Sequence, residues 1–223
     1  MEIRDKVAVV TGSSSGIGYN TAKVLLEKGA VVYGLSRRET EISHPAFTWL
    51  ETDLSFSGDI DAAFASIRQR HPDISLLVNN AGIGVFGDIE TITPEMWQRA
   101  VDVNLTAAFL CSKKVVPLMK KRQFGMIVNI ASIAGRHGFK GGSAYCATKF
   151  GLAGLSESLM EELRLFGVRV CCIFPGSVDT AFYKDSPLHP AKLMKPEEVA
   201  RIIVSAIETP DGILPDQIVI RPT

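Results

Sequence analysis

The chain has 223 residues, 46% of them hydrophobic, with 24 basic and 24 acidic side chains. That length and apolar content suit a single α/β domain with a well-covered core. The even charge balance excludes the basic footprint of a nucleic-acid binder and the polybasic patch of a membrane-surface protein.

The N-terminal segment enters the apolar run 6–11 (KVAVVT) within a few residues and shows no apolar signal core; no run approaches the length of a membrane span. That first run predicts a buried strand. Residues 17–28 have helical periodicity, with Gly29 as the stop. Strands are predicted over 30–36 and 47–52, a helix over 59–69, and a strand over 74–78. Thr93, Pro94 and Glu95 make a helix start. That helix is predicted to run toward Lys121 with a kink at Pro117. Lys120-Lys121-Arg122 reads as a solvated last turn, where cations suit the helix dipole. A strand at 126–130, a long helix at 144–166, a strand at 168–174, a helix from Pro196 to 207 and a short strand at 218–220 follow.

Apolar strands alternating with helices predict a doubly wound, Rossmann-type α/β fold. It has one mostly parallel, seven-stranded sheet with helices on both faces, in a single domain spanning 1–223. The irregular stretch at about 180–195, with Pro187 and Pro190, reads as a substrate lid or an inert surface loop. Cys111, Cys146, Cys171 and Cys172 have no CxxC spacing and read as buried packing residues in a reducing, cytoplasmic protein. His44, His71, His137 and His189 lack metal-ligand spacing, so no metal is expected.

The first strand leads into Thr11-Gly12-Ser13-Ser14-Ser15-Gly16-Ile17-Gly18 and then a helix. Gly12 can make the tight turn, Gly16 lets backbone approach a pyrophosphate, and Gly18 permits close packing of helix on strand. The helix N-terminus offers unpaired N–H groups and positive potential to the phosphates. A Walker-type loop would need Gly-Lys-Ser/Thr, which does not follow. The second strand ends in Ser36-Arg37-Arg38. No carboxylate there would repel a ribose 2′-phosphate, and a guanidinium can hold one by a charge-assisted contact. NADP(H) is therefore expected in preference to NAD(H), unless Arg37 and Arg38 are only exposed loop charges.

Tyr145 and Lys149, four residues apart in a predicted helix, share one face. A nearby ammonium stabilises phenolate and lowers a pKa that is ordinarily about 10. Such a tyrosine can exchange a proton with an alcohol or a developing alkoxide. The spacing alone is common on protein surfaces, and the surrounding motifs decide the matter.

In chain order those motifs are TGxxxGIG at 11–18, Asn79-Asn80-Ala81-Gly82 after the fourth strand, Asn104, Ser132, the Tyr145–Lys149 pair, and Pro175-Gly176 with Thr180. Together they resemble the short-chain dehydrogenase/reductase family over essentially the whole chain. The resemblance implies that Tyr145 is the general acid/base and that Lys149 lowers its pKa and bonds the nicotinamide ribose. Ser132 would polarise the substrate oxygen, and Asn104 would anchor a water that relays protons. Asp53 and Leu54 would lie against the adenine and Asn80 on the adenosine side. Pro175, Gly176, Val178 and Thr180 would line the nicotinamide end. Ser36 and Arg37 match positions that discriminate the 2′-phosphate. Ser14 and Ser15 would add hydroxyl donors to the loop that also holds Ile17, although many NADP-using relatives carry a basic residue where this chain has Ser15.

The implied reaction is hydride transfer between NADP(H) and a small-molecule carbonyl or secondary alcohol. A homodimer or homotetramer through helices 94–121 and 144–166 is expected from the same resemblance. The chain ends sooner after Thr180 than typical members, and 217–223 lack the glycine-rich segment common in 3-oxoacyl-carrier reductases. A carbonyl reductase is therefore expected ahead of a 3-oxoacyl thioester reductase. A non-catalytic dinucleotide sensor is the rival from another class; it would need neither the tyrosine nor the lysine.

Overall fold

In the computed structural model, which describes residues 1–183 and 190–223, the apolar runs become seven strands. They are β1 (Val7–Thr11), β2 (Val31–Ser36), β3 (Phe47–Glu51), β4 (Ile74–Asn79), β5 (Gly125–Ile130), β6 (Val168–Pro175) and β7 (Gln217–Ile220). All pair in parallel, in the order β3-β2-β1-β4-β5-β6-β7. β1, β4, β5 and β6 are buried along their whole length, which is why they read as continuous apolar runs instead of alternating ones. The edge strands β3 and β7 are only partly covered.

Helices α1 (Gly16–Glu27) and α6 (Pro196–Glu208) cover one face, where Leu25, Ile203 and Ile207 pack with Val10, Val128 and Ile173. Helices α2 (Ser57–Arg70), α4 (Ala107–Arg122) and α5 (Ser143–Leu163) cover the other, where Phe64, Val115 and Leu163 pack with Val9, Leu77 and Ile127. The predicted helix start is found at α3 (Pro94–Val101): Thr93 Oγ1 accepts from Met96 N at 3.3 Å, ahead of Pro94. The strand order reverses between β1 and β4, so a crevice opens at their carboxyl ends, where ligands of such sheets bind.

Three expectations are corrected. The helix over 94–121 is not continuous: Asp102–Thr106 form a π-turn between α3 and α4, while α4 is unbroken at Pro117. The π-turn lets Asn104 reach backbone groups outside its own helix, as described below. Arg122 is not a solvated helix end. Its guanidinium donates to Ile74 O at 2.6 Å and pairs with Asp73 at 3.1 Å, tying α4 to the start of β4. The neighbouring Lys120 ammonium lies 3.9 Å from the Phe166 ring centroid. Finally, the α-helix predicted over 144–166 gives way to a 3-10 turn at Arg164–Phe166.

The stretch at 180–195 falls partly on residues 184–189, outside the described residues. Its base is closed by parallel pairing of Val178 with Met194: Asp179 N donates to Met194 O at 2.8 Å, and Met194 N to Ser177 O at 2.9 Å. Among the described residues no helix is long and apolar enough to cross a membrane.

Candidate active site

The glycine loop is pressed against the end of β4. Gly12 adopts φ +68°, a conformation that favours glycine, and its N–H donates to Leu35 O at 2.8 Å. A Cβ on Gly18 would collide with Gly12 O and Asn80 Nδ2. Thr11 Oγ1 accepts from both Asn80 N and Ala81 N at 3.0 Å, and Asn80 Nδ2 donates to Thr11 O at 3.0 Å and Gly12 O at 3.3 Å. Asn80 thus fixes the loop. Helix α1 opens with no side chain capping its first turn, which leaves its leading N–H groups for an anion. Ser14 is half-buried and Ser15 exposed at this opening. Thr180 stands opposite: a Cβ on Gly16 would come within 3.0 Å of Thr180 Cγ2. A narrow cradle bare of side chains at a helix N-terminus fits the pyrophosphate of a dinucleotide.

At the end of β2, Ser36 is buried and its hydroxyl is occupied. It donates to Arg38 O at 2.8 Å and accepts from Trp49 Nε1 at 3.2 Å; the same indole N–H reaches Ser36 O at 3.1 Å. Ser36 shapes this turn, and the charges the turn presents are the exposed Arg37 and Arg38. Nearby, the Asp53 carboxylate accepts from Ser55 N at 3.0 Å and Ser55 Oγ at 2.7 Å. Burial pushes its pKa up, but the Ser55 hydrogen bonds and the charges of Arg37 and Arg99 outweigh that and hold it below the usual value. Leu54 points into the core beside Ile60 and Phe64.

Ser132, Tyr145 and Lys149 gather at the carboxyl ends of β5 and β6. Tyr145 and Lys149 are both buried on α5. Lys149 Nζ donates to Ile130 O at 2.8 Å and lies 5.9 Å from the Tyr145 ring centroid. Burial lowers the Lys149 pKa from 10.5 to about 8, with a small opposing pull from Cys172. Ser132 follows β5 and caps the short turn Ile133–Gly135, its Oγ accepting from Ala134 N at 3.1 Å and donating to Pro175 O at 3.5 Å. Gly135 packs against the backbone of Lys149, where a Cβ would come within 2.6 Å of Lys149 O. Gly176 N donates to Ile220 O at 2.8 Å, anchoring the chain where it leaves β6, and Val178 is buried just beyond.

Asn104 links this centre to the loop after β4. Its Oδ1 accepts from Ile83 N at 2.7 Å, and its Nδ2 donates to Ile83 O at 2.9 Å and Thr148 Oγ1 at 3.0 Å. Both amide hydrogens are used, which leaves one Oδ1 lone pair. A Cβ on Gly82 would sit 3.4 Å from both Asn104 Oδ1 and Lys149 Nζ, so this glycine borders both side chains.

The fold therefore sets Asn104, Ser132, Tyr145 and Lys149 around the carboxyl ends of β4, β5 and β6. Residues that sequence reasoning passed over also take part. Thr11 and Thr148 lie inside motifs already singled out and Phe182 in the irregular stretch at 180–195, whereas Trp49, Ile83 and Phe86 carry no local signal. Phe86 and Phe182 each place a ring centroid 5.4 Å from that of Tyr145.

Residues 6–190 match the family described as short chain dehydrogenase. The chain belongs to that family. This short chain dehydrogenase is 31% identical to an uncharacterized oxidoreductase of Staphylococcus saprophyticus, covering 99% of this chain and 97% of that one. It is 33% identical to a 3-ketodihydrosphingosine reductase of Bacteroides thetaiotaomicron, over 88% of this chain and 78% of the relative. Among solved structures, a 3-ketoacyl-(acyl-carrier-protein) reductase from Brucella melitensis complexed with NADH superposes with a TM-score of 0.91. That likeness covers 98% of both chains at 26% identity. The short chain dehydrogenase is thus an oxidoreductase of a family that uses a nicotinamide dinucleotide.

Proposed function

We propose that this short chain dehydrogenase uses NADPH to reduce a small-molecule carbonyl compound, and in reverse oxidises the corresponding secondary alcohol. The observation that carries this reading is the convergence of Ser132, Tyr145 and Lys149 at the ends of β5 and β6, beside the glycine-loop crevice. When bound, the nicotinamide supplies the hydride. Tyr145 gives its phenolic proton to the carbonyl oxygen as negative charge develops there. Lys149, steadied by Ile130 O, favours the resulting phenolate and donates to the nicotinamide ribose. Ser132 orients and polarises the substrate oxygen, and the free lone pair of Asn104 holds a water that returns the proton.

Gly12, Ser14, Ser15, Gly16, Ile17 and Gly18 cradle the phosphates, and Asn80 braces that loop. Asp53 and Leu54 border the adenine; Pro175, Gly176, Val178 and Thr180 border the nicotinamide. Preference for NADPH is supported by Arg37 and Arg38, exposed on a turn that Ser36 and Trp49 hold in shape. The reading includes one domain over 1–223, a cytoplasmic setting that suits four buried free thiols, and a homodimer or homotetramer. Exposed Phe109 on α4 and Phe150 on α5 support association through these helices. Likeness to the Brucella enzyme favours a 3-oxoacyl thioester as the second substrate reading.

Steady-state consumption of each cofactor with a panel of carbonyl compounds tests the function and its cofactor together. In Arg37→Asp, KM for NADPH is expected to rise about 10- to 100-fold, the worth of one hydrogen bond to a charged group. KM for NADH is expected to change little. Equal effects on both cofactors would remove Arg37 from phosphate recognition, and no consumption with any carbonyl would overturn the reductase reading.

A further inference from the structure

The catalytic phenol is flanked by Phe86 and Phe182, and Phe139 packs against Phe86. Phe86 follows β4, Phe139 follows β5 and Phe182 follows β6. The Phe86 and Tyr145 rings meet edge to face at 5.4 Å, and the Phe182 and Tyr145 rings are tilted at the same separation. Phe86 and Phe182 are nearly perpendicular at 5.8 Å, and Phe139 lies 6.1 Å from Phe86. Ala134 and Cys146 complete the apolar wall. Bare glycines permit this approach. A Cβ on Gly84 would collide with the Phe86 ring and come within 3.0 Å of Phe182 Cζ; one on Gly142 would come within 2.6 Å of Phe139 Cζ.

These rings differ from the phenylalanines that build the core. Phe64 and Phe174 are fully buried in the sheet packing, whereas Phe86 and Phe182 are half-buried and Phe139 is 37% exposed. Apolar rings left partly open beside a catalytic hydroxyl form a binding wall. We infer that this wall is an aromatic box that selects ketones carrying an aryl group next to the carbonyl. The inference rests on the reductase reading above and names its substrate class.

The chemistry of the box favours an aryl substituent. A phenyl group laid against the exposed parts of these rings gains hydrophobic burial together with quadrupole-favoured contacts. A sugar carbonyl or a 2-oxo acid would have to strip water from hydroxyls or a carboxylate against phenyl faces that return no hydrogen bond. An aromatic box can also bind a cation. Here the Lys149 ammonium, 5.9 Å from the Tyr145 ring centroid, opposes a second positive charge.

The test compares kcat/KM with NADPH for acetophenone, dihydroxyacetone, 2-oxobutanoate and an acetoacetyl thioester. Acetophenone is expected to exceed each of the others by about tenfold or more, the scale on which one well-filled apolar pocket discriminates. Phe86→Ala is expected to raise KM for acetophenone about tenfold, the worth of one aromatic pair, with a smaller change in kcat. Phe139→Ala, at the more exposed ring, changes KM in the same direction and keeps the test available if Phe86→Ala misfolds. Preference for a polar carbonyl or the thioester, or an unchanged acetophenone KM in the variants, would overturn the aromatic box. If no carbonyl is reduced, the reductase reading fails separately. Calorimetric titration of acetophenone into the NADPH-loaded protein then tests the box: binding that is lost in Phe86→Ala supports it, and absence of binding overturns it.

Discussion

Replacing Tyr145 with Phe is expected to lower kcat for NADPH-dependent carbonyl reduction roughly 1,000-fold, within the range one positioned acid/base group contributes. The phenyl ring keeps the packing against Phe86 and Phe182, and the hydroxyl is what is lost. Cofactor affinity is expected to survive, because the glycine loop and its brace at Asn80 are untouched. Steady-state rates and a fluorescence titration of NADPH read the two effects separately. Near-normal turnover in Tyr145→Phe would remove the phenol from the chemistry, and loss of NADPH binding would make its role structural.

Lys149→Met is expected to reduce kcat/KM on the order of 100-fold without lowering thermal stability. Lys149 is only 4% exposed, and burial moves its pKa from 10.5 to about 8. That displacement corresponds to about 3 kcal/mol borne by the charged form. Between about pH 8 and pH 10.5 the unfolded chain holds this proton while the folded chain has released it. The contribution of Lys149 to stability therefore rises with pH across that window and is least favourable below it. Methionine removes the buried charge but strands Ile130 O, an offsetting loss of about 1–3 kcal/mol. The midpoint of thermal unfolding at neutral pH is thus expected to stay level or rise in the variant. In wild type, NADPH affinity is expected to weaken as pH climbs through about 8 and the ammonium is lost; in Lys149→Met that step is expected to vanish. A large drop in unfolding temperature together with an unchanged pH profile would assign Lys149 to structure alone.

The parts of the molecule that were legible in the sequence are those whose cause is local. Continuous apolar runs such as 168–174 mark strands buried on both faces, and the glycine spacing of 11–18 reports one turn and one helix start. The π-turn at Asp102–Thr106 was not legible, because its cause lies 21 residues away in the backbone of Ile83. The visible trace was a single asparagine within a helical pattern. Arg122 misled for the same reason: a cation at a helix end suits solvent until β4 supplies a carbonyl and Asp73 a carboxylate. Ser36 occupies the position that the family resemblance associates with the 2′-phosphate, yet Trp49 from the neighbouring strand engages its hydroxyl. Phe86, Phe139 and Phe182 are isolated aromatics in three loops, and only the topology of β4, β5 and β6 brings them together.

Incubation with NADPH deuterated at the transferable position, followed by mass spectrometry of the alcohol formed from acetophenone, reads the proposed chemistry directly. One deuterium on the carbinol carbon per NADPH consumed is the expected result, with the signal lost in Tyr145→Phe. NADPH consumption without deuterium in the alcohol, or undiminished transfer in Tyr145→Phe, would contradict hydride transfer to a carbonyl protonated by Tyr145.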